Sequence, residues 1–500
     1  MKALSQPSNF RAVLGPTVLS IVTVLFLASL APDLAARHNV LIILADDMGW
    51  KDVGFNGSEI QTPNIDRLAE EGVKLTRYYA QSTCSPTRAS LMTGQAALRN
   101  GVLRPIDKNS TGGLPLDLKI LPQYFAEAGY QTSLIGKWHL GHAYRAQLPT
   151  ARGFDHAYGN LLGGIGQWSH IHGGGLDWQR DGVALREEGY STHLLVDDTI
   201  RQIENRDAER PFFYYLSLTA PHLPNEAPNT TVEKYAEIER TQRRMHAAMV
   251  DEIDQGVGRI LAALEQQGVM DDTLIWFMSD NGGLIEGSGI SILDGALAKL
   301  SDWFGTPLPV EALEFFRTNI QDGGSDNGPY RRGKGSVYEG GVLVPSVLYW
   351  SGVLKGREIN QRVTAQDVLP TLADAAQLTL DDSMPLDGRN QWQLFLGSEE
   401  FGPVDYAIAG IEGEAYYQGD WKLVLPRGEA PQLYDLSRDL TETHDLAAEE
   451  PQRVQLMRDK LAALPEGESI HKTSWLDMIL DPDIFGGVED RPPWVERLRD

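Results

Sequence analysis

Two apolar runs in this chain each end in a pair of oxygen-bearing side chains. Val40 to Ala45 stops at Asp46-Asp47, and Thr273 to Ser279 stops at Asp280-Asn281. Short apolar runs of this kind read as strands buried on both faces, and open α/β sheets bind ligands at the C-terminal ends of such strands. Adjacent carboxylates at that edge are poorly explained by solvation; the bland alternative for Asp46-Asp47 is a turn or a cap. As a functional set, three carboxylates and one amide are hard oxygen donors, which suit calcium better than zinc or copper. A rival pair, Asp326-Asn327, lies in a glycine-rich stretch and not behind an apolar strand, so Asp280-Asn281 is preferred.

Cys84, the only cysteine, opens the run Cys84-Ser85-Pro86-Thr87-Arg88. Ser85 predicts an N-cap, Pro86 the first helical position, and Ala89 to Met92 carry the helix towards Gly94. Cys84 would then sit just before a helix N-terminus, where unpaired N–H groups favour an anion. Arg88, one turn on, folds back towards the same spot as a fixed cation. A lone cysteine is ordinarily a small buried hydrophobe, but this setting gives a reactive side chain facing an oxyanion pocket.

Further polar candidates follow other predicted strands. Lys137 and His139 come after Thr132 to Ile135 and, two apart on extended chain, point the same way. His222 comes after Pro211 to Leu218, and Lys334 belongs to the basic run Arg331-Arg332-Gly333-Lys334. In isolation each has an ordinary reading as a surface or loop residue.

The sequence C-S-P-T-R followed by A-S-L-M-T-G resembles the signature of the type I sulfatases. G-K-W-H-L-G at 136–141, T-A-P-H-L-P at 219–224, G-K-G-S-V-Y-E-G-G at 333–341 and D-V-L-P-T-L at 367–372 follow in that family's order. The resemblance covers roughly Asn39 to Leu464, and the nearest subgroup looks arylsulfatase B-like (N-acetylgalactosamine-4-sulfatase-like). It implies the alkaline-phosphatase-like fold and a maturation enzyme that oxidises Cys84 to formylglycine (3-oxoalanine). It also implies one calcium ion held by Asp46, Asp47, Asp280, Asn281 and an oxygen of the modified Cys84. The hydrated aldehyde would attack sulfur, with Arg88, Lys137 and Lys334 on the sulfate oxygens and His139 assisting the nucleophile. His222, with Lys334, would protonate the leaving oxygen; His142 is not required by the motif. The implied reaction is hydrolysis of a sulfated poly- or oligosaccharide, or of an aryl sulfate. The same fold also carries phosphodiester and phosphonate monoester hydrolysis, and a non-catalytic glycan-binding descendant is a third reading.

Elements able to position such residues alternate along the chain as strand and helix, which predicts a large, mostly parallel α/β sheet flanked by helices. The catalytic domain is expected over 37–397, with an insertion over 284–325. A C-terminal subdomain over 398–465 should hold a small antiparallel sheet and a helix, and the tail over 466–500 should wrap the surface without a core. Strands are expected at Tyr406 to Ile411, Ala415 to Tyr417 and Trp421 to Leu425, with Leu433 to Leu436 packing behind. Thr231 to Gln267 reads as one long helix whose mixed charges form a solvated face. Trp168, His170 and His172, in the loop Gly163 to Gly175, are either sugar contacts or structural.

Lys2 and Arg11 precede the apolar run Val13 to Leu30, which reads as a secretory signal over 1–36, cleaved after Ala31 or Ala36, or as a retained anchor. Secretion or a periplasmic location follows from the first. A formal charge of −25 argues against nucleic acid or an anionic membrane as partner. A sulfated glycan must therefore be received on a local positive island. A single cysteine excludes an intramolecular disulfide, and nothing in the residues gives the oligomeric state.

Overall fold

The computed structural model describes residues 38–285, 323–398, 405–471 and 484–500. The leader expected over 1–36 and residues 286–322 of the expected insertion lie outside these described residues.

Along the chain, the main sheet takes β1 (Asn39–Ala45), β2 (Val73–Leu75), β3 (Gln131–Gly136), β4 (His156–Gly159), β5 (Gln179–Arg180), β6 (Val183–Ala184), β7 (Phe212–Ser217), β8 (Thr273–Ser279), β9 (Ser346–Tyr349) and β10 (Arg357–Ile359). They assemble in the order β10-β2-β9-β8-β1-β7-β3-β4-β5-β6. The central strands β8, β1, β7, β3 and β4 run parallel to one another. Antiparallel pairings are confined to the flanks. The sheet is thus mixed and mostly parallel, as expected.

Strand β1 shows why both faces must be covered. Val40, Ile42 and Leu44 enter one apolar layer, and Leu41, Ile43 and Ala45 enter the other. Alternation along the strand puts both sets out of water, and each fully buried aliphatic side chain contributes about 1.5–3 kcal/mol. Among the described residues the longer helices are α1 (Pro63–Glu71), α2 (Cys84–Thr93), α3 (Ser191–Glu204), α4 (Thr241–Gln266), α5 (Val368–Ala375) and α6 (Pro451–Ala462). Apolar residues of α2 and α5 join the first layer, and those of α1, α3 and α4 the second.

Helix α4 differs from expectation in two ways. The chain breaks between a short helix, Asn229–Lys234, and Thr241, and several of its charges are buried rather than solvated. Arg243, His246 and Asp254 are all nearly inaccessible. Asp254 caps α1 from outside, its Oδ1 accepting from Asn64 N–H at 3.0 Å and Ile65 N–H at 2.8 Å. Such N–H groups have no partner inside their own helix, so a carboxylate from a neighbouring helix replaces a local cap. The periodic charges looked like a solvated face because their partners lie about 190 residues away.

The C-terminal sheet has strands β11 (Tyr406–Gly410), β12 (Gly413–Gln418), β13 (Trp421–Pro426) and β14 (Gln432–Asp435), antiparallel throughout. Leu433 to Asp435, expected to pack behind the sheet, is its fourth strand. One face packs on Val337, Tyr338 and Val342, and the other on α6 through Met457 and Leu461. The tail also departs from expectation. Trp494 and Val495 enter the main core, and Trp494 Nε1–H donates to the His172 carbonyl at 2.8 Å. A tryptophan buried with its N–H satisfied is a core element.

Candidate active site

The parallel ladder continues for one residue beyond several strands, and that brings the polar candidates together. Asp46 N–H reaches Ala220 O at 3.1 Å, Asp280 N–H reaches Ala45 O at 3.1 Å, and Lys137 N–H reaches Ser217 O at 2.7 Å. Side chains that leave β1, β8, β3 and β7 therefore start from neighbouring positions on one sheet edge. Gly136 makes this approach possible: a Cβ there would lie 1.9 Å from Ser217 O. Asp47 takes a left-handed φ of 66°, uncommon outside glycine. Asp47 N–H donates to Asp280 Oδ1 at 3.2 Å and Met48 N–H to Ser279 Oγ at 3.0 Å, so β8 holds that turn.

Cys84 is the first residue of α2, with Thr83 as N-cap, two positions earlier than expected. Ser85 caps nothing locally. Its hydroxyl donates to His139 O at 2.9 Å and accepts Ile106 N–H at 3.2 Å, tying α2 to two loops of the site. Pro86 still falls in the first turn, where the missing N–H costs nothing. Cys84 is 2% exposed, and burial pushes its thiol up against the pull of Lys137 and Lys334. An unmodified Cys84 is therefore a protonated thiol and a poor nucleophile.

Six charged groups surround it in pairs. Lys137 Nζ lies 2.6 Å from Asp46 Oδ2, and Lys334 Nζ lies 2.7 Å from Asp47 Oδ2. Arg88 Nη2 and Nε reach Asp280 Oδ2 at 2.7 and 3.0 Å. Arg88 Nη1 donates to Lys137 O at 3.2 Å and to Ser217 Oγ at 2.5 Å. Arg88 was expected on sulfate oxygens; here these donors point to the protein, and its guanidinium orients Asp280. Three carboxylates against three cations leave the cluster formally neutral, so these side chains alone do not make the expected positive island.

A cation fits this set. Asp46 Oδ1 and Asn281 Oδ1 are buried without a hydrogen-bond partner, an arrangement that costs stability unless something else supplies one. Asn281 Nδ2 is fixed by Asp47 Oδ1 at 2.7 Å, which turns its oxygen the other way. Burial and Asp280 push the Asp46 carboxyl up to about 8, Lys137 pulling against them; a bound cation would reverse that. Ligand atoms of Asp46, Cys84 and Asp280 lie within 4.8 Å of one another, as do those of Asp46, Asp47 and His222. Asp326-Asn327 serves differently: Asn327 clamps Gly283, accepting its N–H at 2.8 Å and donating to its carbonyl at 3.0 Å.

The two histidines are held as neutral imidazoles. His139 Nε2 is 3.0 Å from Ile106 O, which places the proton on Nε2 and leaves Nδ1 without a partner. Burial, then Lys137 and Arg88, hold its pKa well below the usual range. His222 Nδ1 donates to Leu223 O at 2.7 Å, and its Nε2 lies 3.6 Å from Asp47 Oδ2. Burial and Lys334 hold it neutral as well, outweighing Asp47. His139 has φ 55°, so Lys137 and His139 do not share the extended geometry that the spacing had suggested.

The surrounding wall holds residues that spacing did not disclose. A Cβ on Gly163 would lie 2.9 Å from His139 Nε2, and one on Gly164 would lie 2.8 Å from His222 Cε1. These adjacent glycines are flush against the two imidazoles; the doubled glycine was the available signal. Phe485, from the tail, meets His222 edge-on at 5.0 Å, and nothing in the sequence announced it. His170 is buried against Trp178 at 4.4 Å, and His172 bonds Gly164 O at 2.6 Å, so both are structural. Trp168 is 48% exposed. His142 bonds Lys108 O at 3.0 Å.

The model of the family described as Sulfatase matches residues 38–378, the span that carries every residue of this cluster. The chain belongs to the sulfatase family. Mouse (Mus musculus) arylsulfatase J is 33% identical over 372 residues, covering 72% of this chain and 56% of that protein. Human (Homo sapiens) N-acetylgalactosamine-6-sulfatase is 30% identical over 376 residues, covering 70% and 64%. The matched sulfatase region thus spans more than half but less than two thirds of these relatives. Among solved structures, Ps i-CgsB in complex with k-i-k-neocarrahexaose superposes with a TM-score of 0.75 at 28% identity, covering 89% of this sulfatase chain and 97% of that one.

Proposed function

We propose that this protein hydrolyses sulfate esters of a sulfated poly- or oligosaccharide, with Cys84 matured to formylglycine and calcium as the metal. The observation that carries the reading is the charge arrangement around Cys84. Three carboxylates are matched by three cations, and two buried oxygens lack partners. A divalent ion would satisfy those oxygens and turn a neutral pocket into one that attracts an anion. Asp46, Asp47, Asp280 and Asn281 would hold it; with formylglycine it supplies a polarised hydroxyl nucleophile.

The chain's own residues account for the rest. Lys137 and Lys334, anchored on Asp46 and Asp47, present ammonium groups to the sulfate oxygens. Arg88 keeps Asp280 in place. His139, with its proton fixed on Ile106, offers Nδ1 as the proton acceptor for the nucleophile. Of the two residues expected to protonate the leaving oxygen, Lys334 carries a proton here, because Asp47 holds it charged despite burial. His222 is neutral and lines that side as a hydrogen-bond partner. A carbohydrate substrate is supported by the likeness to Ps i-CgsB, solved with a neocarrahexaose, and by the exposed Trp168, four residues along the chain from Gly164, whose ring is open to stack on a sugar. A secreted or periplasmic location follows if residues 1–36 act as a signal.

Mass spectrometry of the Cys84 peptide, paired with sulfate release, tests this. Conversion lowers the peptide by about 18 Da, and matured protein should release sulfate from sulfated oligosaccharides. Full conversion without hydrolysis of any sulfate ester, and with cleavage of phosphonate or phosphate diesters instead, would overturn it.

A further inference from the structure

Lys422 on β13 is fully buried between two glutamates, its Nζ 2.9 Å from Glu339 Oε1 and 2.6 Å from Glu442 Oε1. Glu339 is also held by Tyr79 OH on Oε2 at 2.7 Å and by Tyr417 OH on Oε1 at 2.9 Å. Its own N–H donates to Glu442 Oε2 at 2.7 Å. None of these three charges lies among the groups around Cys84. Burial opposes ionisation of Glu339, but Lys422 and the two hydroxyls outweigh it and lower its pKa. Buried ion clusters are weak sources of stability, and an apolar replacement is often as stable. A role in geometry is therefore the better account of this one.

The two glycines next to Glu339 supply that geometry. Gly340 N–H donates to Arg331 O at 2.9 Å, and a Cβ on Gly341 would lie 2.1 Å from Ser336 O and 2.6 Å from Gly333 O. On the other side Gly282 N–H donates to Gly341 O at 2.9 Å, and a Cβ on Gly282 would lie 1.9 Å from Gly340 O. Gly340 and Gly341 thus form a wedge between the loop of Lys334 and the loop of Asp280 and Asn281. Lys334 N–H closes the joint by donating to Gly283 O at 3.1 Å. No side chain separates these backbones, so a shift of Glu339 moves both loops.

We propose that Lys422 is a positioning residue: by anchoring Glu339 it seats the Gly340-Gly341 wedge and holds Lys334 and Asn281 in register across the site. The C-terminal sheet is in this sense part of the catalytic architecture without touching substrate. The inference rests on the roles proposed above for Lys334 and Asn281 in sulfate ester hydrolysis.

The test is Lys422→Met, with Lys334→Ala and the double variant. Backbone hydrogen exchange should accelerate at 331–341 and at 280–283, and kcat/KM for a sulfate ester should fall roughly tenfold, typical coupling for residues in one network. In the Lys334→Ala background the same change should cost clearly less than tenfold, because the lysine it positions is gone and only the seating of Asn281 remains to be lost. Tyr417→Phe keeps every charge and removes one hydrogen bond to Glu339; it serves as the mild variant should Lys422→Met fail to fold, with a smaller loss and the same non-additivity. Exchange changes confined to 406–435, or losses that multiply in the double variant, would overturn the proposal. An inactive wild type would count against the hydrolase reading alone, since exchange at 331–341 still decides the anchoring.

Discussion

Lys334 Nζ sits 2.7 Å from Asp47 Oδ2, although 287 residues separate them in the chain. The pair joins the end of the first strand to a loop delivered just before β9, and it holds Lys334 charged within a buried site. Lys334→Ala should lower kcat/KM about 10²–10³-fold, the usual cost of losing one positioned donor at a developing charge. It should also leave Asp47 without its cation. Steady-state kinetics and thermal unfolding of the same variant check both, and a variant with near-normal kcat/KM would remove Lys334 from the reaction.

Gly164 tests how closely the wall fits. Alanine there brings a methyl group to 2.8 Å from His222 Cε1 and 2.9 Å from Nδ1, where His222 has no free rotamer because Nδ1 is tied to Leu223 O. Gly164→Ala should depress kcat by about tenfold or more, since a misplacement of about 1 Å can cost 10²-fold. Little change in melting temperature is expected. Equal loss of stability and activity would mean that the glycine is needed only for packing.

Calcium should stabilise the protein measurably. An ion bound only by the native state adds about 2.7 kcal/mol at a hundredfold excess over Kd, and a chelator should reverse the gain. Asp280→Ala should abolish the calcium-dependent rise in melting temperature. A rise that persists in Asp280→Ala would place the ion elsewhere.

Asp52 gives a dependence on pH. Its carboxylate accepts from Gly49 N–H, His246, Arg243, the Ser325 hydroxyl and Asp326 N–H. Burial opposes the charge, but Arg243 and His246 outweigh it and depress the pKa below 3.8. A depressed folded-state pKa contributes stability above the unfolded value, and that contribution is lost as pH falls through the folded one. Asp52→Asn should therefore cost about 3–5 kcal/mol near neutrality, the scale for breaking a buried pair, and the gap from wild type should narrow below about pH 4. Urea unfolding across that range measures it; a gap that stays constant would show that Asp52 is not ionised in the native state.

The residues by themselves determined the strands and what stands at their ends. Val40 to Ala45 and Leu274 to Met278 are apolar throughout, as strands buried on both faces must be, and the polar step after each coincides with the sheet edge. The oxygen donors, Lys137, His139 and His222 were legible for that reason: each follows a local change from apolar to polar, which needs no knowledge of partners, while Cys84 and Lys334 were legible from the helix start and the basic run that hold them. Tertiary structure decided what each of them touches. Arg88 turns to Asp280, Ser85 to His139 O, and Asp254 to the start of α1, because a charge leaving water must find a partner wherever the fold brings one. Phe485 against His222 and Lys422 beneath Glu339 join segments about 80 to 260 residues apart. Periodicity and spacing report only local geometry, so contacts of that reach come into being only when the sheet and the C-terminal strands have closed on one another.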